Sequence, residues 1–467
     1  MEGLIEPAAQ GSVPAPPASG VVRSRSATPI ILAVITLFTL PGGLLWLIGY
    51  NYNGLTGNPL SKIHPSTYII LAIYLWSAFT SGNPVGYVAR GFWTRPACVL
   101  LLIGMLALFV QTVSRSSPGM AGSIDTFLGP PLLVMMMADL DEDAMRRVEI
   151  VLHVIMTVNA LMALAEFITN VRVFEFVFDG VPNIYDTRST ALQGHPLENA
   201  SVTAFYVLAL ISSKGSMRAT FKVALVSLQF AALVAFGGRA ATVAAVLLAG
   251  FYMVTRVHHA LRAGRIPVLS AAAVVIMAAT LPVLIVALAA GGFFDALMER
   301  FLVDDGGSAA TRVEMFRIFE GVSNRDLLVG PDPALIASQR WLHGLSVGIE
   351  NPIITILLYQ GIFVTVLLTT AVVAFLYELA QSCLAGVWLP MIAFAILLNS
   401  SESIATKTNV VSKFVVVMLC LYRPRHNPIK MALMSGWAQR RSRIPITLLY
   451  PPSNPSRRMS SSPPGEI

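Results

Sequence analysis

Charge is what this chain has least of. Only 12% of its 467 residues are Asp, Glu, Lys or Arg, against about a quarter in a soluble domain, and the mean hydropathy is +0.69. A soluble globular domain is thereby excluded, and an integral membrane protein is expected. Cysteine is equally scarce. Cys98, Cys383 and Cys420 fall in or near apolar runs without metal-ligand spacing, so they read as small buried hydrophobes and not as a disulfide framework. No internal repeat is evident, which argues against transporters built from duplicated halves. No Asp-x-Asp-like pair stands among the outer loops, and Asp304 and Asp305 are adjacent instead of spaced for a metal, so no metal or cofactor is expected.

What is present is apolar runs of roughly 15 to 25 residues, which argue helices, since each run closes its own backbone hydrogen bonds. Spans are expected near 29–50, 66–80, 96–113, 124–138, 148–169, 197–212, 220–236, 240–255, 267–291, 352–376, 387–399 and 408–422. The fold class is an all-α polytopic membrane protein of about 12 transmembrane helices. Pro41-Gly42-Gly43 is expected to bend the first span, which is too long and too late for a cleaved signal peptide. Residues 1–28 read as a disordered cytoplasmic tail, 29–422 as the membrane domain and 423–467 as a basic, disordered cytoplasmic tail near anionic headgroups.

Charge sets the orientation. Arg90, Arg95, Arg146, Arg147, Lys214, Arg218, Lys222, Arg256, Arg262 and Arg265 fall in alternate loops, and the C-terminal tail is rich in Lys and Arg. The intervening loops hold scattered single charges such as Lys62 and Arg115. This asymmetry puts both termini in the cytoplasm. The net charge of +7 comes largely from the tail and does not imply nucleic acid. Two outer loops are long, about 170–197 and 292–351, the second between spans 9 and 10. In the second, Thr311–Glu320 has the spacing of a short amphipathic helix capped by Thr311 or Ser308, with Asn324-Arg325-Asp326 and Gly330-Pro331-Asp332-Pro333 as turns.

Against that frame, Arg188, Arg239 and Arg312 are on the wrong side for the orientation rule. Fixed guanidinium groups outside a bilayer suit phosphate, whose oxygens they match in planar two-point contacts. Arg188 precedes Gly194-His195-Pro196-Leu197-Glu198-Asn199, a turn entering a span. Arg239 follows Gly237-Gly238 in a tight reversal. Glu350-Asn351-Pro352 opens another helix, with Glu350 either a cap or a general base, and His195 and His343 rival proton carriers. Each feature also has a structural reading: Arg188 snorkelling to headgroups, Arg239 anchoring an interface, Arg312 a solvated surface charge.

The order of these segments resembles the O-antigen ligase and Wzy-type polymerase superfamily, with the exopolysaccharide branch known as the VpsF family looking most similar. The resemblance rests on Arg188–Gly194-His195-Pro196–Asn199, Gly238-Arg239-Ala240-Ala241, Thr311-Arg312 with Gly330, and Glu350-Asn351-Pro352 leading to Leu357 and Gly361. It implies metal-independent glycosyl transfer at the periplasmic face of a bacterial inner membrane. The donor is a glycan on undecaprenyl pyrophosphate and the acceptor another glycan, with flippase and chain-length or export proteins as partners beside membrane lipids. It implies pyrophosphate binding by Arg188, Arg239 and Arg312, with Glu350 and His195 as proton carriers and Asn199, His343 and Asn351 nearby. The ligases place a histidine where this chain has Glu350, which shifts the expectation toward polymerase, and their Ser-Arg turn is Gly238-Arg239 here. A ligase and a lipid-linked oligosaccharide flippase or exporter remain the alternatives.

Overall fold

The computed structural model describes residues 27–54, 56–117, 119–213, 217–262, 286, 314–345, 349, 351–400 and 404–422. The expected span at 267–291, the charged residues Arg312 and Glu350, Asp304 and Asp305, and both tails lie outside them.

Among the described residues the chain is helical apart from one small hairpin. The first helices are α1 (Thr28–Thr39), α2 (Gly42–Leu47), α3 (Pro65–Thr80), α4 (Pro84–Thr94), α5 (Pro96–Ser114), α6 (Met120–Phe127), α7 (Gly129–Met137) and α8 (Glu142–Thr169). Then come α9 (Pro196–Ser212), α10 (Ala219–Phe236), α11 (Arg239–Arg262), α12 (Asn324–Val329), α13 (Pro333–Leu342), α14 (Pro352–Ser382), α15 (Trp388–Leu398) and α16 (Val410–Tyr422). Proline writes many of the starts. Pro65, Pro84, Pro196, Pro333 and Pro352 each open a helix whose preceding residue caps it: His64, Asn83, His195, Asp332 and Asn351. The ring pre-sets φ and removes an N–H that would have no helical partner.

Among the described residues, six helical stretches are long and apolar enough to cross a membrane: Pro96–Ser114, Met120–Met137, Glu142–Thr169, Ala219–Phe236, Arg239–Arg262 and Pro352–Ser382. Four shorter helices, α1, α3, α15 and α16, are also apolar. The protein is an all-α, multi-pass membrane protein. The first span is broken where Pro41 leaves the helix, and the stretch 120–137 is two helices meeting at Leu128 before Gly129-Pro130-Pro131.

Three expectations change. The loop after α3 contains α4, whose apolar Val85 and Trp93 are 80% and 84% exposed, so its pattern faces outward and reads from sequence as loop. Asn324-Arg325-Asp326 is not a turn but the start of α12, because the Ser323 hydroxyl and the Asp326 backbone N–H close a cap. The loop 170–197 holds an antiparallel pair, β1 (Val177–Phe178) and β2 (Val181–Pro182). Its tip, Asp179-Gly180, has positive φ at both residues, the geometry a two-residue hairpin needs.

α9 and α16 form the centre. α9 is buried continuously from Asn199 to Leu210, and every residue of α16 is buried. Around α9 pack α10, α11, α15 and α16. Phe394 stacks on Phe414 at 3.9 Å, with Phe205 edge-on to both. The outer helices keep apolar faces open, such as Ile103, Leu106 and Val110 of α5 and Ile150, Val154 and Leu161 of α8, as contact with hydrocarbon requires. The three cysteines are buried and form no disulfide with one another.

Contacts sort the helix ends into two groups. At one end meet the residue after α1 and the start of α3 (Leu40 O–His64), α3 and α6 (His64–Asp125), and the starts of α9 and α11 (Ala200–Gly238). At the other meet α5 and α14 (Arg95–Ser382), the ends of α9 and α16 (Ser212–Tyr422), and α4 with the α7–α8 turn (Arg90–Asp139). Residues 314–345 form a cap on the first nine residues of α14, with Met315, Ile318, Ile336 and Leu345 packed against Ile354 and Leu358. Gly361 then breaks α14 with φ 83° and ψ 171°. A Cβ there would lie 2.5 Å from the Gly330 nitrogen, so only glycine fits.

Candidate functional site

The start of α9 is where the polar side chains converge. Two carbonyl–amide frames hold it. Glu166, near the end of α8 and 4% exposed, accepts three backbone N–H groups: Val173 at 2.9 Å, Thr190 at 2.8 Å and Ala191 at 2.9 Å. Two turns down, Asn159 accepts the Leu192 N–H at 3.0 Å and donates to Asn199 Oδ1 at 3.0 Å. Asn199 in turn donates to the carbonyls of Thr190 and His195. The irregular segment 189–195 therefore has its backbone satisfied at bundle depth by side chains of α8 and α9, as a buried loop must. Gly194, φ 72°, turns against Pro41, where a Cβ would come within 2.6 Å of the Pro41 Cβ.

Arg188 enters this frame from the rim. Its stem lies on the α10–α11 turn, so that a Cβ on Gly237 would meet Arg188 Cδ at 2.9 Å, and Ser189 N–H reaches the Ala235 carbonyl at 3.3 Å. Gly238 packs on Ala200, and Arg239 opens α11 immediately after it. The sequence-expected Arg188 and Arg239 are thus brought to one helix mouth. The Arg188 guanidinium grips Asp186, with Nε at 2.9 Å from Oδ1 and Nη2 at 2.5 Å from Oδ2, and Arg172 stands 3.9 Å from the same carboxylate. Burial alone would raise the Asp186 carboxyl, but the hydrogen bonds and charge of Arg188, with Arg172 behind, bring it below the ordinary range. Arg172 also stands 3.6 Å from Glu175, so the two guanidinium groups face two carboxylates.

His195 caps α9, its Nδ1 accepting the Glu198 N–H at 3.3 Å, and its ring stands edge-on to Phe176 at 4.8 Å. Burial lowers its pKa, with Arg188 and Lys413 adding to that while Glu198 and Asp186 oppose. The imidazole is neutral with the proton on Nε2, a tautomer inferred from the cap. Asn199 is fully buried and serves the frame. His343 and Asn351 belong to the cap instead. His343 Nδ1 lies 2.9 Å from Glu314, which also holds Arg317, and Asn351 caps α14 by accepting from the Ile353 and Ile354 N–H groups.

Several charged groups of the site, Glu166, Asp186 and Arg172 among them, were not singled out in the sequence. Lys413, 5% exposed at its side chain inside α16, donates to Glu198 at 2.6 Å and to Gln193 at 3.0 Å. A lysine in the run 408–422 is itself a signal, because an intramembrane charge needs a named partner. Beside it, Asp125 of α6 accepts the His64 N–H at 3.0 Å and the Thr67 hydroxyl at 2.7 Å, while Lys407 lies 3.6 Å over the Tyr52 ring. His64 is neutral: Nδ1 accepts the Ser66 N–H and Nε2 faces the Leu40 carbonyl at 2.9 Å. Burial takes its pKa down to about 4. Among the described residues, no group of three or more His, Cys, Asp or Glu could hold a metal ion.

Chemically, this mouth offers cations at a rim, a neutral imidazole and a carboxylate–ammonium pair at the depth of the first helical turn. No family model, curated protein or solved structure matches the chain.

Proposed function

We propose that the chain is a polysaccharide polymerase of the inner membrane, transferring glycan from undecaprenyl pyrophosphate to an acceptor sugar at the periplasmic face. The observation that carries this is the contact of Arg188 with the Gly237–Gly238–Arg239 turn at the start of α9. Arg188 and Arg239, distant in sequence but brought to one turn, suit a diphosphate. In this reading the chain has twelve spans and cytoplasmic termini, and the mouth of α9 faces the periplasm. The orientation rule supports it, since Arg90, Arg95, Arg218 and Lys222 fall at the opposite end of the bundle.

The acceptor hydroxyl oxygen attacks the anomeric carbon, the bond from that carbon to the pyrophosphate oxygen breaks, and the leaving oxygen keeps the electron pair. Arg188, Arg239 and Arg312 neutralise the developing charge. Glu350 takes the hydroxyl proton, with neutral His195 in reserve. The test is a reconstituted reaction with lipid-linked repeat units and no metal or nucleotide. Longer glycans are expected, and Arg188→Ala and Arg239→Ala at normal protein level abolish them; full-length polymer from either variant ends the proposal.

A second reading, a flippase of the same lipid-linked glycan, is favoured by the burial of Lys413 and Glu198 within the helices. Lipid-linked single repeats collecting outside a loss-of-function cell support the polymerase, and collection inside supports the flippase. A ligase shares the donor and is separated by its acceptor.

A further inference from the structure

A second set of titratable groups lies along α8, away from the mouth of α9. Glu149 and His153 sit one turn apart and are 5% and 9% exposed. His153 Nδ1 meets the Tyr206 hydroxyl of α9 at 2.6 Å, and His153 Nε2 lies 3.6 Å from Glu149 Oε1 without a hydrogen bond. The antiparallel register of α8 and α9 is fixed by two contacts, His153 with Tyr206 and Asn159 with Asn199. Midway between them Thr203 falls opposite Met156. The Met156 carbonyl accepts from Gln229 of α10 at 3.0 Å. At this one level, Thr203 Oγ1 and Gln229 Oε1 are fully buried and have no partner, and His153 Nε2 is a third unpartnered atom one turn away.

Three orphaned polar atoms from three helices at neighbouring levels are costly if dry. They are the partners one or two internal waters need. We propose that Glu149, His153 and Tyr206, with water held by Thr203 and Gln229, form a proton-binding site inside the bundle. The proton arrives from water and is shared between His153 Nε2 and the Glu149 carboxylate, while the Tyr206 hydroxyl fixes the ring through Nδ1. The Asn159–Asn199 pair stands between this site and the arginine mouth, so the two are separate.

The other groups on the packed elements are accounted for. Cys420 of α16 lies near Glu149 and Tyr206. Lys413 is held by Glu198 at the far end, Tyr422 by Ser212, and Lys222 of α10 by the Ser213 carbonyl at 2.8 Å. α1 packs on α8 and carries no titratable side chain.

Histidine-labelled full-length protein in lipid nanodiscs tests this by NMR, the His153 signal being the one missing from His153→Gln. Its ring signal, followed from about pH 5 to about pH 9, is expected to change, and that change is altered in Glu149→Gln and Tyr206→Phe. Magnetisation transfer from water to the ring is expected and falls severalfold in Thr203→Val and Gln229→Leu. A ring signal fixed across that range, or one indifferent to Glu149→Gln, overturns the proposal. So does absence of water transfer in the unaltered protein, a measurement that needs no variant to fold. Thr203→Val supplies a further arm: removal of a dry orphan hydroxyl raises Tm, whereas removal of a water ligand does not.

Discussion

The mouth of α9 and the cap at 314–345 are held by different means. At the mouth, carboxylate, imidazole and ammonium groups reach across long stretches of sequence: Glu166 to Thr190 and Ala191, Lys413 to Glu198, His64 to Leu40. In the cap, side-chain pairs such as Ser323 with Asp326 and Arg317 with Glu314 are local, an apolar cluster binds it to α14, and Gln111 of α5 and Arg115 just after it reach the carbonyls of Val329 and Pro331. A buried polar network makes a frame; the cap is an apolar cluster tied to the bundle through α5 and α14. The difference also separates the candidate residues, since Arg188, Arg239, His195 and Asn199 belong to the frame and His343 and Asn351 to the cap.

Breaking the frame has the largest expected effect. Glu166→Ala orphans two buried N–H groups and a half-buried third and is expected to cost about 3 kcal/mol, read as a lowered Tm of the whole bundle. A bundle that melts unchanged would mean segment 189–195 is not held by this carboxylate. Lys413→Met leaves Glu198 without its ammonium and is expected to cost about 3 kcal/mol. The double variant with Glu198→Gln should recover most of that loss, and a double variant as unstable as the single would rule the pair out as the cause.

His64 sharpens the comparison through pH. Its folded pKa of about 4 lies below the ordinary 6.5, so the unfolded chain binds the extra proton in between. Stability is complete above about pH 6.5 and falls toward pH 4, by on the order of 3 kcal/mol. His64→Gln is expected to flatten that slope in a Tm-against-pH series; an unchanged slope assigns it to other groups. The smallest global effect is expected in the cap. Gly361→Ala forces a side chain against Gly330 and costs about 2 kcal/mol, seen as protease cutting within 323–345 while the bundle Tm stays. Concerted melting of both would erase the distinction.

Much of the helical plan was legible in the sequence because apolar runs, proline starts and glycine ends are local signals. Pro65, Pro196 and Pro352 mark helix starts to the residue, and Gly237 marks the reversal before Arg239. What stayed hidden depends on partners. Asp186 neutralising Arg188, or Gln229 reaching Met156, has no periodicity to betray it. α4 and α12 are short, and their patterns are set by an interface and by a single cap. Lys413 was visible as a charge in an apolar run, but its role follows only once α16 is laid against α9.

That pairing has a consequence for how the protein is made. Glu198 and Lys413 are 215 residues apart in sequence, and each is a charge that resists entry into lipid on its own. At ordinary synthesis rates, α9 must wait roughly 10–40 s for its counter-ion to emerge. During that interval α9, a helix from the centre of the finished protein, carries a carboxylate whose counter-ion has not yet been made. The pair can close only when α16 is laid against α9.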